Sequence, residues 1–465
     1  MHAEALLRDI TDYCRRHGVA ESTFGRLAVN DGKFVNRLRD GGRITTITFE
    51  RVRSFIAADP GKGSLLVGGA PEIPSAGASS HASAQVSAQA TPNDRNFRFF
   101  DNRQKYLLFV NTCSEKGVVA QRVAMELGHI RPRPPAVRLF DAGVGDGTVL
   151  TRVMRAMHNR FPTMPFYIVG KEISLEDVRL ALEKMPDRYY EHPATVLVMT
   201  NLYYREAPWL VPSSVTSATS LVWHELALSG STAHEFEEQI TGLAPFLAEN
   251  WRAHVNPSSG NPVYERPAIL VIYREDHRFL LDPIIPRRGG AQANYDLVIA
   301  SQPYRARATL EFKASKVISP LAKSLGQGGR LLAIHSHGND PGNEIVQGMW
   351  PGENPFRHDR QQVLKAVKEN LGSAARHFNF NAYSDARSLF RYHMHALPSE
   401  ISATIGTSTL FAAWNAAVYV GQIEDARLES VIGDRRYLDV TGEVLHKHAG
   451  LWFWDESFII SRHRD

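Results

Sequence analysis

The sequence predicts an α/β protein with a doubly wound, mostly parallel sheet, preceded by a small all-α unit. Three observations carry that expectation. The stretch Val137–Leu150 reads as a short apolar strand, a glycine turn and the start of a helix. Downstream, apolar runs of strand length alternate with amphipathic helical stripes, the pattern that builds parallel crossovers. Upstream, residues 59–95 are rich in Gly, Pro, Ser and Ala and set the glycine region apart from a helical N-terminus.

The chain has 465 residues, long enough for two or three units. A hydrophobic content of 43% and a charged content of 22% are those of a soluble globular protein. The net charge of +4 says little about partners. Two cysteines, Cys14 and Cys113, exclude a disulfide framework and a cysteine-rich zinc site, and a reducing cytoplasm fits. No apolar run approaches the length of a membrane span, and the N-terminus lacks the apolar core of a signal peptide.

Residues 1–58 read as short helices. Leu6, Leu7, Ile10 and Tyr13 form one stripe, which Gly18 ends. Ser22 is placed to cap a second helix with Phe24, Leu27 and Ala28. A turn at Asn30-Asp31-Gly32 leads to a third, with Phe34, Val35 and Leu38, and Thr46 is placed to cap a fourth. The unit resembles helix-turn-helix modules of phage-repressor type. On that resemblance Lys33, Asn36, Arg37 and Arg39 would face DNA, and a single copy would need to dimerise to bind well. A plain docking bundle fits the same pattern. Residues 59–95 are expected to be a flexible linker, and 96–465 an α/β domain.

The glycine stretch begins with Leu139-Phe140-Asp141 and continues Ala142-Gly143-Val144-Gly145-Asp146-Gly147-Thr148. Glycine lets the backbone turn sharply and leaves room for a ligand against bare amides. The spacing is not the dinucleotide pattern, whose third glycine comes one residue later. An acid followed by evenly spaced glycines, D-x-G-x-G-x-G, resembles the first motif of class I S-adenosylmethionine-dependent methyltransferases. The resemblance implies a seven-stranded, doubly wound sheet, S-adenosylmethionine as cofactor, and Asp141, Gly143, Gly145 and Gly147 beside it. A second strand, Phe166 to Lys171, ends at Glu172, about 25 residues past the glycines, where a carboxylate accepts from both ribose hydroxyls. Ser174 caps the next helix. A third strand, Ala194 to Met199, is followed by Asn201, which the resemblance places near the adenine.

Helices across residues 96–130 are expected to cover the pocket, with Phe100, Asn102 and Tyr106 as lining candidates. Two segments compete for the fourth strand, residues 219–225 and 295–300. The second makes residues 202–292 an insertion. It leads into Ser301-Gln302-Pro303-Tyr304, which resembles the Asn/Asp/Ser-Pro-Pro-Tyr/Phe tetrapeptide of amino-group methyltransferases but carries glutamine for the first proline. Ser301, Tyr304 and His335 are therefore the candidates on the acceptor side, with His337 and His224 as further candidate bases. None of the His-Glu pairs has the His-Glu-x-x-His spacing, so no metal is expected. Arg274 to His277 would bind a charged substrate or pair with one another. The C-terminal part is expected to supply helices at 363–371 and 407–420 and an antiparallel strand pair from 390–397 and 451–460.

The function these residues point to is methyl transfer to an acceptor, a small molecule rather than nucleic acid. The alternative is a DNA-binding regulator whose large domain senses a ligand without turnover.

Overall fold

The computed structural model describes residues 2–29, 31–40, 48, 49, 52, 53, 55, 56, 103–256, 261–402 and 404–464. Gly41, Gly42, Thr46, the 59–95 stretch, Phe100 and Asn102 lie outside the described residues. The chain divides into two compact units, Met1–Ala88 and Gln89–Asp465.

In the first unit, helices His2–His17, Glu21–Val29 and Phe34–Arg39 pack around Leu6, Ile10, Tyr13, Phe24, Val35 and Leu38. Phe24 sits edge-on to Tyr13 and Phe55, with ring centroids 5.4 and 5.5 Å apart. The second helix starts at Glu21, so Ser22 lies inside its first turn and does not cap it. Gly25 lets the turn before the third helix close in, because a Cβ there would stand 2.4 Å from the Asp31 carbonyl oxygen. Lys33, Asn36, Arg37 and Arg39 are all exposed. Arg39 is paired with Glu21 at 2.7 Å and Arg37 with Asp31.

Among its described residues the second unit has twelve strands. These are β1 (Val137–Asp141), β2 (Phe166–Lys171), β3 (Thr195–Thr200), β4 (Val222–Leu228), β5 (Ala253–Val255) and β6 (Pro262–Tyr264), followed by β7 (Ala268–Arg274), β8 (Tyr295–Ser301), β9 (Leu325–Ser336), β10 (Phe378–Asn381), β11 (Leu389–His393) and β12 (Trp452–Arg462). One sheet runs β10-β12-β9-β8-β1-β2-β3-β7-β4, with β11 also on β12; β5 and β6 form a separate hairpin. From β3 to β9 the pairing is parallel. β12 is antiparallel to β9, β10 and β11, and β7 is antiparallel to β3.

The sheet thus has ten strands where seven were expected. The surplus is β4 and β7, which extend the β3 edge, and β11, which shares the long strand β12 with β10. The fourth-strand ambiguity resolves in favour of β8, which lies beside β1 with Ile299 opposite Asp141. The reason is burial. β8 is apolar on both faces, as a central parallel strand must be, whereas β4 carries His224 and Glu225 in mid-strand and sits at the edge. After β4 come two helices, Ala233–Thr241 and Ala244–Asn250, separated at Gly242-Leu243.

Both faces of the sheet are covered. Val123, Val153, Leu182 and Phe236 pack on one face, and Val317, Leu321, Val363 and Val367 on the other. Burying such side chains contributes roughly 1.5–3 kcal/mol each. A third core gathers helices Arg103–Thr112, Pro341–Met349, Thr407–Val420 and Arg436–His448 around Phe109, Ile345, Trp414, Tyr437 and Phe453 of β12. Among the described residues no helix is long and apolar enough to cross a membrane.

One buried histidine makes the fold acid-sensitive. His192 stacks on Phe166 at 3.7 Å, and its Nε2 lies 3.0 Å from the Met164 carbonyl. Its Nδ1 lies 2.9 Å from Nδ1 of His158. Burial, above all, pushes the ring down to about 4. The unfolded chain therefore binds a proton the folded one refuses. The stabilisation is complete above the unfolded value near 6.5 and is lost as pH falls toward 4. Between pH 7 and 4.5 the wild type should lose about 2–3 kcal/mol more than His192→Gln. Urea midpoints measured at both pH values test this, and parallel losses would remove the assignment.

Candidate active site

The glycine turn leaves the carboxyl end of β1. Asp141 ends the strand, and its Oδ1 accepts from the Gly143 N–H at 3.1 Å. The Val144 N–H donates to the Lys171 carbonyl at 3.1 Å, which ties the turn to β2. Gly170 makes room for this, since a Cβ there would lie 2.6 Å from Val144 Cγ2. Gly145 and Gly147 have φ values of 55° and 78°, the left-handed region where glycine is favoured. Gly147 also packs against the helix Leu175–Glu183, with a hypothetical Cβ 2.7 Å from Ala181 Cα. Gly143 is different. It is exposed, its φ is outside the left-handed region, and nothing lies within 4 Å of where a Cβ would stand. The fold needs glycine at 145 and 147; at 143 the bare backbone leaves an open cradle.

That cradle is ringed by acids. Glu172, just past β2, accepts from the Gly145 N–H at 2.8 Å through Oε2. Its Oε1 accepts from Ile173 and Ser174 at 2.8 and 2.9 Å. Ser174 caps the following helix, as its position in the sequence suggests, by accepting from the Asp177 N–H. Burial, together with the charge of Glu172, raises Asp141 to about 6. The same two causes push Asp177 up. Asp146 goes the other way: burial opposes its charge, but Lys116, Lys184 and Thr148 outweigh it and hold the carboxyl below its usual range.

Two further groups, Lys116 and the lining candidate Tyr106, converge here. Lys116 brings its Nζ to 3.9 Å from the Gly145 Cβ position and 5.4 Å from the Tyr106 ring centroid. Burial disfavours its charge, but Tyr106, Glu115 and Asp146 more than compensate and raise it well above its ordinary value. The Tyr106 hydroxyl is buried, 3.2 Å from the same Cβ position, with no hydrogen-bond partner among the described residues. Tyr106 was a lining candidate; Lys116 carries no sequence signal, because only the packing of helix Glu115–Leu127 across the turn brings it near.

Asn201 lies elsewhere than expected. Its side chain is fully buried and fastens the extra strands: Oδ1 accepts from the Ala268 N–H at 2.8 Å, and Nδ2 donates to the Arg266 and Asn250 carbonyls. Both its donors are spent on this backbone, which leaves the amide no donor for an adenine.

The second constellation sits at the carboxyl ends of β8 and β9. Ser301 ends β8, two residues beyond the partner of Asp141. Gln302 takes a positive φ of 46° and bonds the Ser336 hydroxyl at 3.1 Å and Asp455 at 3.2 Å. The glutamine that departs from the tetrapeptide pattern therefore ties β8 to β9 and β12. The Pro303 carbonyl accepts from the Tyr204 hydroxyl at 2.8 Å, and Tyr204 stands beside Lys171 within the field of Glu172 and Asp141. Tyr304 and His335 meet: the hydroxyl lies 2.9 Å from Nδ1, and both are buried. Behind them His335 Nε2 lies 2.7 Å from Glu456 Oε1, and Arg360 holds Glu456 at 3.0 Å. Glu456 and Arg360 had not been considered. His224 stacks on Phe246 at the far edge of the sheet, and Arg274, Asp276 and His277 pair with one another.

No family model matches the chain, and no curated protein matches it. Solved structures to which the chain is similar include a geranyl diphosphate methyltransferase bound to GPP and sinefungin, 10% identical over 74% of this chain and 77% of that one, with a TM-score of 0.29. A protein assigned as a sarcosine dimethylglycine methyltransferase from Galdieria sulphuraria is 9% identical over 75% of this chain and 85% of its own, with a TM-score of 0.31. PKMT2 from Rickettsia typhi, solved with AdoHcy, is 11% identical over 75% and 53%, with a TM-score of 0.26.

Proposed function

We propose that the chain is an S-adenosylmethionine-dependent methyltransferase acting on a small acceptor. The observation that supports this most is the ring of carboxylates at an open glycine cradle. Asp141, Glu172 and Asp177 around Gly143 would repel the diphosphate of a dinucleotide and attract a ligand rich in cationic groups and hydroxyl donors. Glu172 would hold the ribose, Gly143 and Gly145 would pass beneath the ligand, and Lys116 would meet its carboxylate. The cofactor supplies an already activated methyl group on a positively charged sulfur. The protein's task is then to hold the acceptor in line beside it, which can supply roughly 7–11 kcal/mol. Ser301 and Tyr304 are the acceptor-side groups of this reading.

Calorimetric titration tests it. S-adenosylhomocysteine should bind and NAD should not. Binding should tighten by up to about twofold from pH 6 to pH 8. The sign follows from the raised carboxyl of Asp141: the free site holds a proton near pH 6, and a ligand with a cationic amine favours the ionised form, so binding releases that proton. NAD binding, or S-adenosylhomocysteine affinity that weakens with rising pH, would defeat the reading. Residues 1–58 are compatible with DNA contact by a homodimer; retention of operator-like DNA by the full chain, with no methyl transfer, would favour the regulator instead.

A further inference from the structure

The proposed function leaves open where the acceptor's proton goes. Tyr304, His335 and Glu456 come from three different strand ends and form an unbroken buried chain of 2.9 and 2.7 Å contacts. Glu456 is 1% exposed, and Arg360 contacts it twice, through its backbone N–H at 2.9 Å and its guanidinium at 3.0 Å. Burial opposes the charge of Glu456, but hydrogen bonds from His335 and Arg360, with the His337 ring close by, outweigh it and hold the carboxyl far below its usual range. An ionised carboxylate only accepts, so Nε2 of His335 carries the proton facing it. In the neutral ring Nδ1 is then bare and accepts from the Tyr304 O–H. The ring is an oriented base with a phenol in front and a carboxylate behind.

The other charged groups facing this chain are His337, 3.7 Å from Glu456, Lys313 and His358. Lys313 Nζ lies 5.0 Å from the Tyr304 ring centroid and 3.4 Å from His358 Nδ1. Lys313 opens a π-helical segment, Lys313–Ile318, a rare geometry that often marks functional positions. Burial lowers it to about 8.

We infer that Tyr304 takes the acceptor's proton, with His335 as the store behind it and Glu456 as the group that positions the ring, so that the acceptor is a nucleophile bearing a removable proton. This rests on the methyltransferase reading. The acceptor's lone pair forms the new bond to the methyl carbon, and the carbon–sulfur pair stays on sulfur. The acceptor's proton passes to the Tyr304 oxygen as the Tyr304 proton passes to His335 Nδ1, and the imidazolium is left beside Glu456. A hydroxyl, a thiol or a primary or secondary amine needs this path. A tertiary amine or thioether does not. Tyr304 is the catalytic residue of the chain, and His335 and Glu456 act through it.

The test reads the ring itself in the full chain without ligand. Histidine ring nitrogens are labelled and titrated by NMR, with His335 assigned by its loss in His335→Gln. The expected result is an Nε2-protonated, Nδ1-bare ring at pH 8. Glu456→Gln should let the Nδ1-protonated form of the ring appear beside the Nε2-protonated one, and Glu456→Asp should restore most of the Nε2-protonated form. An Nδ1-protonated ring in the unaltered protein, or tautomer populations unmoved in Glu456→Gln, overturns the inference whatever the cofactor does. S-adenosylhomocysteine titration of the same samples reports separately on the methyltransferase reading. A methylated product with a fixed positive charge at pH 12 would also overturn the assignment of a protic acceptor.

Discussion

Gly143→Val should reduce S-adenosylhomocysteine affinity at least 100-fold and leave the melting temperature within about a degree, whereas Gly147→Ala should do the reverse in order of severity. The two glycines are four residues apart and look alike in the sequence, yet they answer to different demands. At 143 a Cβ meets no protein atom within 4 Å, and on the proposed reading it enters the space the ligand would take. Hundredfold weaker binding corresponds to about 2.8 kcal/mol. At 147 any side chain must adopt φ of 78°, at roughly 1–2 kcal/mol, and its Cβ would press on Ala181 Cα at 2.7 Å, for roughly 1–3 kcal/mol more. The variant should therefore be about 3 kcal/mol less stable. Thermal melts beside calorimetric titrations check both. A Gly143→Val protein that binds normally would mean the cradle is not where the ligand lies.

The second large effect is expected at Glu456→Ala. Arg360 and His335 both depend on this carboxylate, and all three are buried. Removing one partner of a buried pair leaves an uncompensated charge and costs roughly 3–5 kcal/mol. Here the stranded group is Arg360, whose remaining carboxylate partner, Asp385, is mostly exposed. A double variant, Glu456→Ala with Arg360→Met, should recover much of the loss because it removes the stranded charge as well. Denaturant midpoints of the two single variants and the double variant provide the cycle. Strict additivity would show that the pair is not coupled and that the contact contributes little.

The same distinction separates what could be read along the chain from what could not. β1, β2 and β3 were legible because each is a short apolar run buried on both faces and closed by a polar group at its carboxyl end. Ser174 was legible as a cap because capping is a contact across three residues. The choice between the two fourth strands was present in the sequence but was not used: His224 and Glu225 in mid-strand already argue for an edge. The structural role of Asn201 was not legible, because its position at the end of β3 says nothing about the extra strands that consume its amide.

The sequence by itself determined the glycine cradle, since positive φ, a strand-end acid and a helix start are local properties of fewer than forty residues. It also determined which residues would stand at the carboxyl ends of the strands. Tertiary structure alone decided which of those residues meet. Tyr304 and His335 are 31 residues apart, and His335 and Glu456 are 121 apart. They come together because β8, β9 and β12 are neighbours in the sheet. Lys116 reaches Gly145 only because its helix crosses above the turn. Strand order is set by the burial of whole faces, a sum over many weak contacts, and no short pattern in the chain encodes it.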